Sequence, residues 1–157
     1  MYVDAQLLFS DAQAITIDAV GTNVIDLGVD RSIGSGTPMC VMFSVDVAAD
    51  QTSSDEDYSF EVEYASDAAQ TTARKRVGHV VYESGTPDAP AFDADLLVAG
   101  YKFYIPIPPG PLSISERYIG IRYDVTGTSP TITCTAVLIP MSMVDSDAVY
   151  PDGFTIQ

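Results

Sequence analysis

The stretch Met39-Cys-Val-Met-Phe-Ser-Val-Asp-Val-Ala48 decides the fold class of this chain. Val41, Phe43, Val45 and Val47 occupy alternate positions, so in an extended backbone their side chains all point to one side. Apolar alternation with a period of two is typical of a β-strand with one buried face. The stretch therefore predicts a long strand that contributes to an apolar core.

The same pattern recurs along the chain, with turn signals about every 8–12 residues. Seven further strands are predicted, at Ala14–Ala19, Asn23–Leu27, Tyr58–Ala65, Val77–Glu83, Tyr101–Ile107, Tyr118–Thr126 and Thr131–Ile139. Residues 68–76 lack both alternation and turn residues, which leaves a short helix or an extended loop open. No stretch of useful length has a helical period.

About eight strands in this order predict an all-β fold, an antiparallel β-sandwich. Long links such as residues 84–100 indicate crossings between two sheets, which favours a jelly-roll-like arrangement. An immunoglobulin-like sandwich is the alternative. It is weakened because the chain has no tryptophan and its two cysteines are far apart for the usual pair between sheets.

Length and composition indicate one soluble domain over residues 1–157. A chain of this size buries roughly 70% of its unfolded surface, and 46% hydrophobic residues supply the core.

The net charge of −15 disfavours nucleic acid and anionic membranes as partners. No apolar run approaches the ~18 residues of a membrane span, and the start Met1-Tyr-Val-Asp lacks the basic region of a signal peptide. We expect synthesis in a cytoplasm.

Residues that commonly carry catalysis or bind transition metals are scarce. His79 is the one histidine, and Cys40 and Cys134 each lie in an apolar strand-like stretch. We expect both thiols to be buried, reduced and unbridged. A chain so poor in His and Cys is expected to present surfaces rather than to be an enzyme, and no cofactor is predicted.

Acidic residues offer two further candidate sites. Glu61 and Glu63 share one strand face, as the paired carboxylates of glycosidases do, but a solvated acidic face is the favoured interpretation. Asp55-Glu56-Asp57 and Asp145-Ser-Asp147 offer oxygen ligands for Ca²⁺, yet their spacing matches no known calcium loop. No catalytic or metal-binding residue is therefore predicted.

Two terminal arms, residues 1–12 and 141–157, flank the predicted sandwich over residues 13–140. Both are too apolar for disordered tails and are expected to dock, either on the chain's own sandwich or on a neighbour. The basic cluster Arg74-Lys75-Arg76 is either a solvated patch or a counterpart for an acidic surface on another copy or partner. The interface candidates are Tyr2, Leu7, Leu8, Phe9, Arg74, Lys75, Arg76, Met143, Tyr150 and Phe154.

Several longer stretches carry a family resemblance. They are Tyr2-Val-Asp-Ala-Gln-Leu-Leu-Phe-Ser-Asp-Ala-Gln-Ala-Ile-Thr16, Thr22-Asn-Val-Ile-Asp-Leu-Gly28, Gly36-Thr-Pro38, Ala99-Gly-Tyr-Lys-Phe103 and Arg117-Tyr-Ile-Gly-Ile-Arg-Tyr-Asp-Val-Thr-Gly127. Together they resemble the jelly-roll capsid cement (decoration) proteins of tailed bacteriophages, as found in a short-tailed Bordetella phage.

The resemblance implies a non-enzymatic virion protein on the outside of an icosahedral head. There it would bind the major capsid protein and stabilise joints between capsid subunits as a homo-oligomer, with a dimer favoured over a trimer. The alternative is a carbohydrate- or receptor-binding jelly-roll module of a phage virion. Tyrosines that lie mostly within strands, rather than on loops, weigh against that alternative. A glycosidase that uses Glu61 and Glu63 is the third hypothesis.

Overall fold

The computed structural model describes residues 5–28, 36–85, 90–108 and 116–144. These residues form ten strands and three short 3-10 turns, Ala5–Leu7, Ala94–Leu96 and Met141–Met143. The strands are β1 (Leu8–Ile15), β2 (Ala19–Val20), β3 (Ile25–Asp26), β4 (Met39–Val47), β5 (Asp57–Ala65), β6 (Lys75–Glu83), β7 (Phe92–Asp93), β8 (Lys102–Ile107), β9 (Tyr118–Thr126) and β10 (Ile132–Pro140). The predicted all-β class is confirmed. None of the described helices is long and apolar enough to cross a membrane.

Two sheets pack face to face. The four-stranded sheet has the order β1-β10-β4-β8, and the six-stranded sheet has the order β2-β9-β5-β6-β7, with β3 also on β9. The first long strand therefore pairs with the last, and the pairs β2·β9, β4·β8 and β5·β6 nest inside it. The nested pairs amount to one long hairpin that is folded over on itself, and such a hairpin forms the two Greek keys of a jelly roll. The predicted jelly-roll-like sandwich is confirmed.

An aromatic cluster fills the space between the sheets. The Phe43 ring stacks on Phe103 with centroids 5.1 Å apart, and Phe60 meets Phe103 edge-on at 4.9 Å. The buried Ser10 hydroxyl lies 2.7 Å from the Tyr123 hydroxyl, which ties β1 to the opposite sheet. These contacts join both sheets into one core.

Strand β1 differs most from its prediction. It begins at Leu8, and the predicted strand Ala14–Ala19 is divided between its last residues and β2. Two register shifts interrupt its pairing with β10, and Ala12 has a φ of 44°. Bulges of this kind break the period-two pattern, so sequence alternation did not show the first half of the strand.

Strand β4 is buried on both of its faces over most of its length. Val41, Phe43 and Val45 face the core as predicted, while Val47, the last residue of β4, pairs with Thr133 and is exposed. Cys40 belongs to a second apolar cluster on the outer face of the four-stranded sheet.

The two thiols are buried and unbridged, as predicted. Cys134 lies in the core between the sheets, so the two cysteines sit on opposite faces of one sheet. Burial raises the pKa of the Cys134 thiol to about 12, which keeps it unreactive at neutral pH.

Candidate functional site

The outer face of the four-stranded sheet is apolar and covered. Its buried residues are Cys40, Met42, Val137 and Ile139, and the side chains packed against them are Leu7, Leu8, Tyr104 and Val144. Three of these covering residues come from the two ends of the described chain. The terminal segments therefore close this face, which we call the apolar face.

The described parts of both arms dock on the chain's own sandwich. At the C-terminal end, the Met141 N–H donates to the Pro38 carbonyl at 2.8 Å. At the N-terminal end, Leu8 already belongs to β1 and Phe9 is wholly buried in the core. The arm predicted over residues 1–12 is thus part of the sandwich from Leu8 onward, and Phe9 is a core residue rather than an interface residue.

The remaining arm candidates have different outcomes. Met143 stays exposed in the 3-10 turn at the C-terminal end. Tyr2, Tyr150 and Phe154 lie outside the described residues.

The outer face of the six-stranded sheet carries buried charges instead. Strand register places Arg122 and His79 on either side of Glu61, and Gly120 and Arg76 on either side of Glu63. Glu61 is 5% exposed and Glu63 is 1% exposed. The predicted solvated acidic face is therefore wrong, because basic side chains and residues 66–74 cover it. We call this surface the charged face.

Glu63 is the best-held carboxylate of the charged face. Its Oε2 accepts a hydrogen bond from Arg74 Nε at 2.8 Å, and its Oε1 lies 3.4 Å from Arg122 Nε. The hydrogen bond to Glu63 raises the pKa of the Arg74 guanidinium. Arg122 also donates from Nη2 to the Gln70 carbonyl at 3.2 Å, so it fastens the covering loop to the sheet.

The whole basic cluster pairs within the chain. Arg76 donates to Glu61, and Lys75 Nζ lies 2.9 Å from Oε1 of the buried Glu116. Together with the Arg74–Glu63 pair, these contacts give each of the three cations a carboxylate of its own. The cluster is therefore not an isolated solvated patch, and its contact with an acidic surface on another copy or partner stays a prediction.

The loop that covers the charged face, residues 66–74, is built around Asp67. The Asp67 carboxylate accepts hydrogen bonds from the Thr71 N–H and from the Thr72 N–H, the latter at 2.7 Å. These bonds and one from the Thr71 hydroxyl lower the pKa of Asp67. Gln70 is buried, and with its amide oxygen turned toward Gly120 it accepts the Gly120 N–H at 3.0 Å.

Sequence reasoning missed this covering loop. The available signal was the Asp67…Thr71-Thr72 spacing, which suits a side-chain-capped turn, together with the glycine at position 120 of a strand.

Glu61 and Glu63 are therefore structural ion-pair partners in this arrangement. Glycoside hydrolysis needs one carboxyl that gives a proton and another that reaches the sugar. Here both oxygens of Glu63 face guanidinium groups, and Glu61 is held by Arg76. The geometry gives no support to the glycosidase hypothesis.

The acidic loop Asp55-Glu56-Asp57 does not converge on one point. Asp55 accepts from the Thr128 N–H at 3.0 Å, the buried Glu56 accepts from the Ser53 N–H at 3.0 Å, and Asp57 accepts from the Thr126 hydroxyl at 3.0 Å. Within the described ranges, no group of three or more His, Cys, Asp or Glu side chains is placed to hold a metal ion. Asp145 and Asp147 lie outside those ranges.

Comparison with known proteins adds a family assignment to this geometry. The model of the Bbp16 family, a family of Bordetella phage proteins, matches residues 9–138. That range begins in β1 and ends in β10, so it spans the sandwich. Comparison with curated proteins found no match.

Proposed function

Because the chain belongs to the Bbp16 family, we propose that it is a capsid cement protein. Family membership indicates a phage structural protein that is located in the virion. As a cement protein, the chain binds the major capsid protein on the outside of an icosahedral head and stabilises joints between capsid subunits. It does so without catalysis. The observation that carries the proposal is the family match over residues 9–138.

The outer faces of the sandwich support a role in binding rather than in catalysis. The apolar face is closed by the terminal segments, and the charged face is neutralised by pairs within the chain. A sandwich whose outer faces are already covered or paired within the chain suits a clamp, because association then requires little reordering of those faces.

The carbohydrate-binding alternative gains no support from the tyrosines. Tyr58, Tyr64, Tyr82 and Tyr123 are buried in the core. Stacking platforms for sugars need exposed aromatic rings, so these four side chains cannot provide one.

We further propose that the protein acts as a homo-oligomer, with a dimer about a local twofold as the first choice and a trimer as the second. Light scattering of the purified protein measures this directly. A particle of twice the 16.8 kDa chain mass is expected, and a monomer at all concentrations contradicts the oligomer.

Reconstitution on isolated heads tests the cement function. Heads from phage that lack this gene are mixed with the purified chain, and bound copies and the temperature of head disruption are measured. Saturable binding and a higher disruption temperature are expected. Heads that already carry the protein are the control, and they should bind no more. Equal behaviour of the two kinds of head overturns the proposal.

A further inference from the structure

One end of the sandwich combines exposed apolar side chains with unneutralised carboxylates. This end, which we call the acidic end, consists of residues 16–18, 46–57, 92–98 and 126–131. Backbone hydrogen bonds hold these segments side by side: Asp50 N–H donates to the Thr131 carbonyl at 2.8 Å, and Ala49 N–H donates to the Leu97 carbonyl at 3.0 Å. The Thr128 N–H donates to Asp55 at 3.0 Å, and the Val125 N–H donates to Asp18 at 2.9 Å, so the four segments meet at one end of the sandwich.

Large apolar side chains are concentrated at the acidic end. Ile17 is 73% exposed, Val47 59%, Val98 53%, Phe92 52% and Leu96 42%. Among the described residues, the two other exposed large apolar side chains are methionines in the Met141–Met143 turn, at the opposite end. Val47, Leu96 and Val98 are neighbours, because the Ala49 N–H donates to the Leu97 carbonyl at 3.0 Å and the Gly100 N–H donates to the Val45 carbonyl at 2.7 Å. Single exposed apolar residues are ordinary on protein surfaces, whereas neighbouring ones are typical of an interaction site.

Carboxylates lie in the same four segments as these apolar residues, within a few positions of them along the chain. They are Asp18, Asp46, Asp50, Asp55, Asp57, Asp93 and Asp95. Their described hydrogen bonds come from backbone N–H groups and threonine hydroxyls. Bonds from Thr52 lower the pKa of Asp50, and bonds from Thr128 lower the pKa of Asp55. The four segments contain no lysine or arginine.

The charges therefore divide unevenly over the molecule. Arg74, Lys75, Arg76, Arg117 and Arg122 all pair with carboxylates of the charged face or the opposite end. The acidic end keeps its negative charge. Two copies meeting through this surface would bring like charges together, which disfavours a second copy as its occupant.

We propose that the acidic end binds a surface of the major capsid protein that has an apolar centre and a basic rim. This inference rests on the proposed cement function and assigns it a surface. An apolar centre within a charged rim is the usual construction of a specific interface. The complementary charges accelerate encounter and make binding sensitive to salt.

Matched substitutions on the same isolated heads test this assignment. Asp95→Lys at the acidic end and Asp11→Lys on β1 change the net charge equally, and both side chains are exposed. Asp95→Lys should raise the half-saturating concentration at least fivefold in low salt and flatten the salt dependence, whereas Asp11→Lys should change it less than twofold. Asp46→Lys repeats the test should Asp95→Lys fold poorly.

A second pair of variants tests the apolar centre. Val47→Ser with Val98→Ser should weaken binding at least fivefold at every salt concentration, whereas Met141→Ser at the opposite end should leave it unchanged. Circular dichroism and thermal unfolding check that each variant is folded.

The outcomes separate the two proposals. Wild-type protein that does not bind heads overturns the cement function and this inference with it. If the wild type binds and Asp95→Lys and Asp11→Lys weaken binding equally, the assignment of the acidic end is wrong. Unchanged binding by the double serine variant also overturns it.

Discussion

Glu63 shows how a buried charge is tolerated in this fold. Its side chain is 1% exposed, yet Arg74 and Arg122 reach it from the covering loop and from β9. Removing one partner of such a group costs more than the pair contributes, because the remaining charge stays poorly solvated. Asp26 and Arg117 form the same kind of pair at an exposed position.

Neutral substitutions of Glu63 and Asp26 compare how much a buried and an exposed ion pair contribute to the free energy of unfolding. Glu63→Gln should lower the free energy of unfolding by about 1.5–3 kcal/mol, the range for hydrogen bonds to charged groups. Asp26→Asn should lower it clearly less, since exposed pairs contribute little. Chemical denaturation measures both, and equal losses would contradict the burial argument.

Asp124 differs from Glu63, because its ionised carboxylate destabilises the folded protein. Burial, followed by repulsion from Glu61 and Asp18, raises the pKa of its carboxyl above the ordinary value of 3.8. An acid whose pKa is raised on folding binds its proton more tightly in the folded state. Its ionisation therefore costs stability at neutral pH, and that cost disappears as the pH falls below the unfolded pKa.

Asp124→Asn should accordingly stabilise the protein at pH 7, by up to about 1 kcal/mol for a partly exposed charge. At pH 3 the variant and the wild type should differ much less, because the carboxyl is then largely protonated in both states. Denaturation curves at the two pH values provide the check. A variant that is less stable at pH 7 would show that the carboxylate is a net favourable group.

At the scale of elements, the loop over residues 66–74 depends on a glycine in the strand beneath it. A Cβ at Gly120 would overlap the Gln70 amide, which lies buried against β9. The loop in turn brings Arg74 to Glu63. One missing side chain in β9 thus allows the charged face to be covered.

Gly120→Ala should displace Gln70 and destabilise the fold by about 1–3 kcal/mol, as overpacking does. In a Gln70→Ala background the same substitution should cost clearly less, since the overlapping atoms are gone. A double-mutant cycle by chemical denaturation measures the coupling. Equal costs in both backgrounds would mean that strain in β9 itself, rather than the loop contact, causes the loss.

Elements with regular alternation could be predicted from the sequence. Strands β4, β5 and β9 were predicted to within one residue at each end, because their alternate side chains do face the core. Strand β1 was not, since its bulges hide the pattern. Local periodicity carries no information on such interruptions.

The surfaces were harder to predict than the strands. Whether an outward-facing Glu61 or Glu63 meets water depends on how the following segment folds, and here residues 66–74 return across β5 and Arg76 of β6 reaches Glu61. The pairing of Arg76 with Glu61 follows from the β5–β6 register and from the shift between Val62 and Glu63. Unlike the turn around Asp67, this register shift leaves no signal in a short spacing.

At the scale of the whole molecule, the nested strand pairs place the ends of the long described strands at two opposite ends of the sandwich. One outer face is closed by the terminal segments and the other is neutralised by ion pairs. Of the described surfaces, the acidic end is the one with both exposed apolar side chains and surplus charge. A clamp that binds through one end leaves the rest of its surface free for solvent.

A cryo-EM reconstruction of the heads of the phage that encodes this chain tests the cement function most directly. If the chain is a cement protein, the map should show density of the size and shape of this sandwich on the outer surface of the head, in contact with at least two adjacent capsid subunits. Heads from phage lacking the gene should show none. Density for the chain in the tail or a fibre, and not on the head exterior, would contradict the cement function.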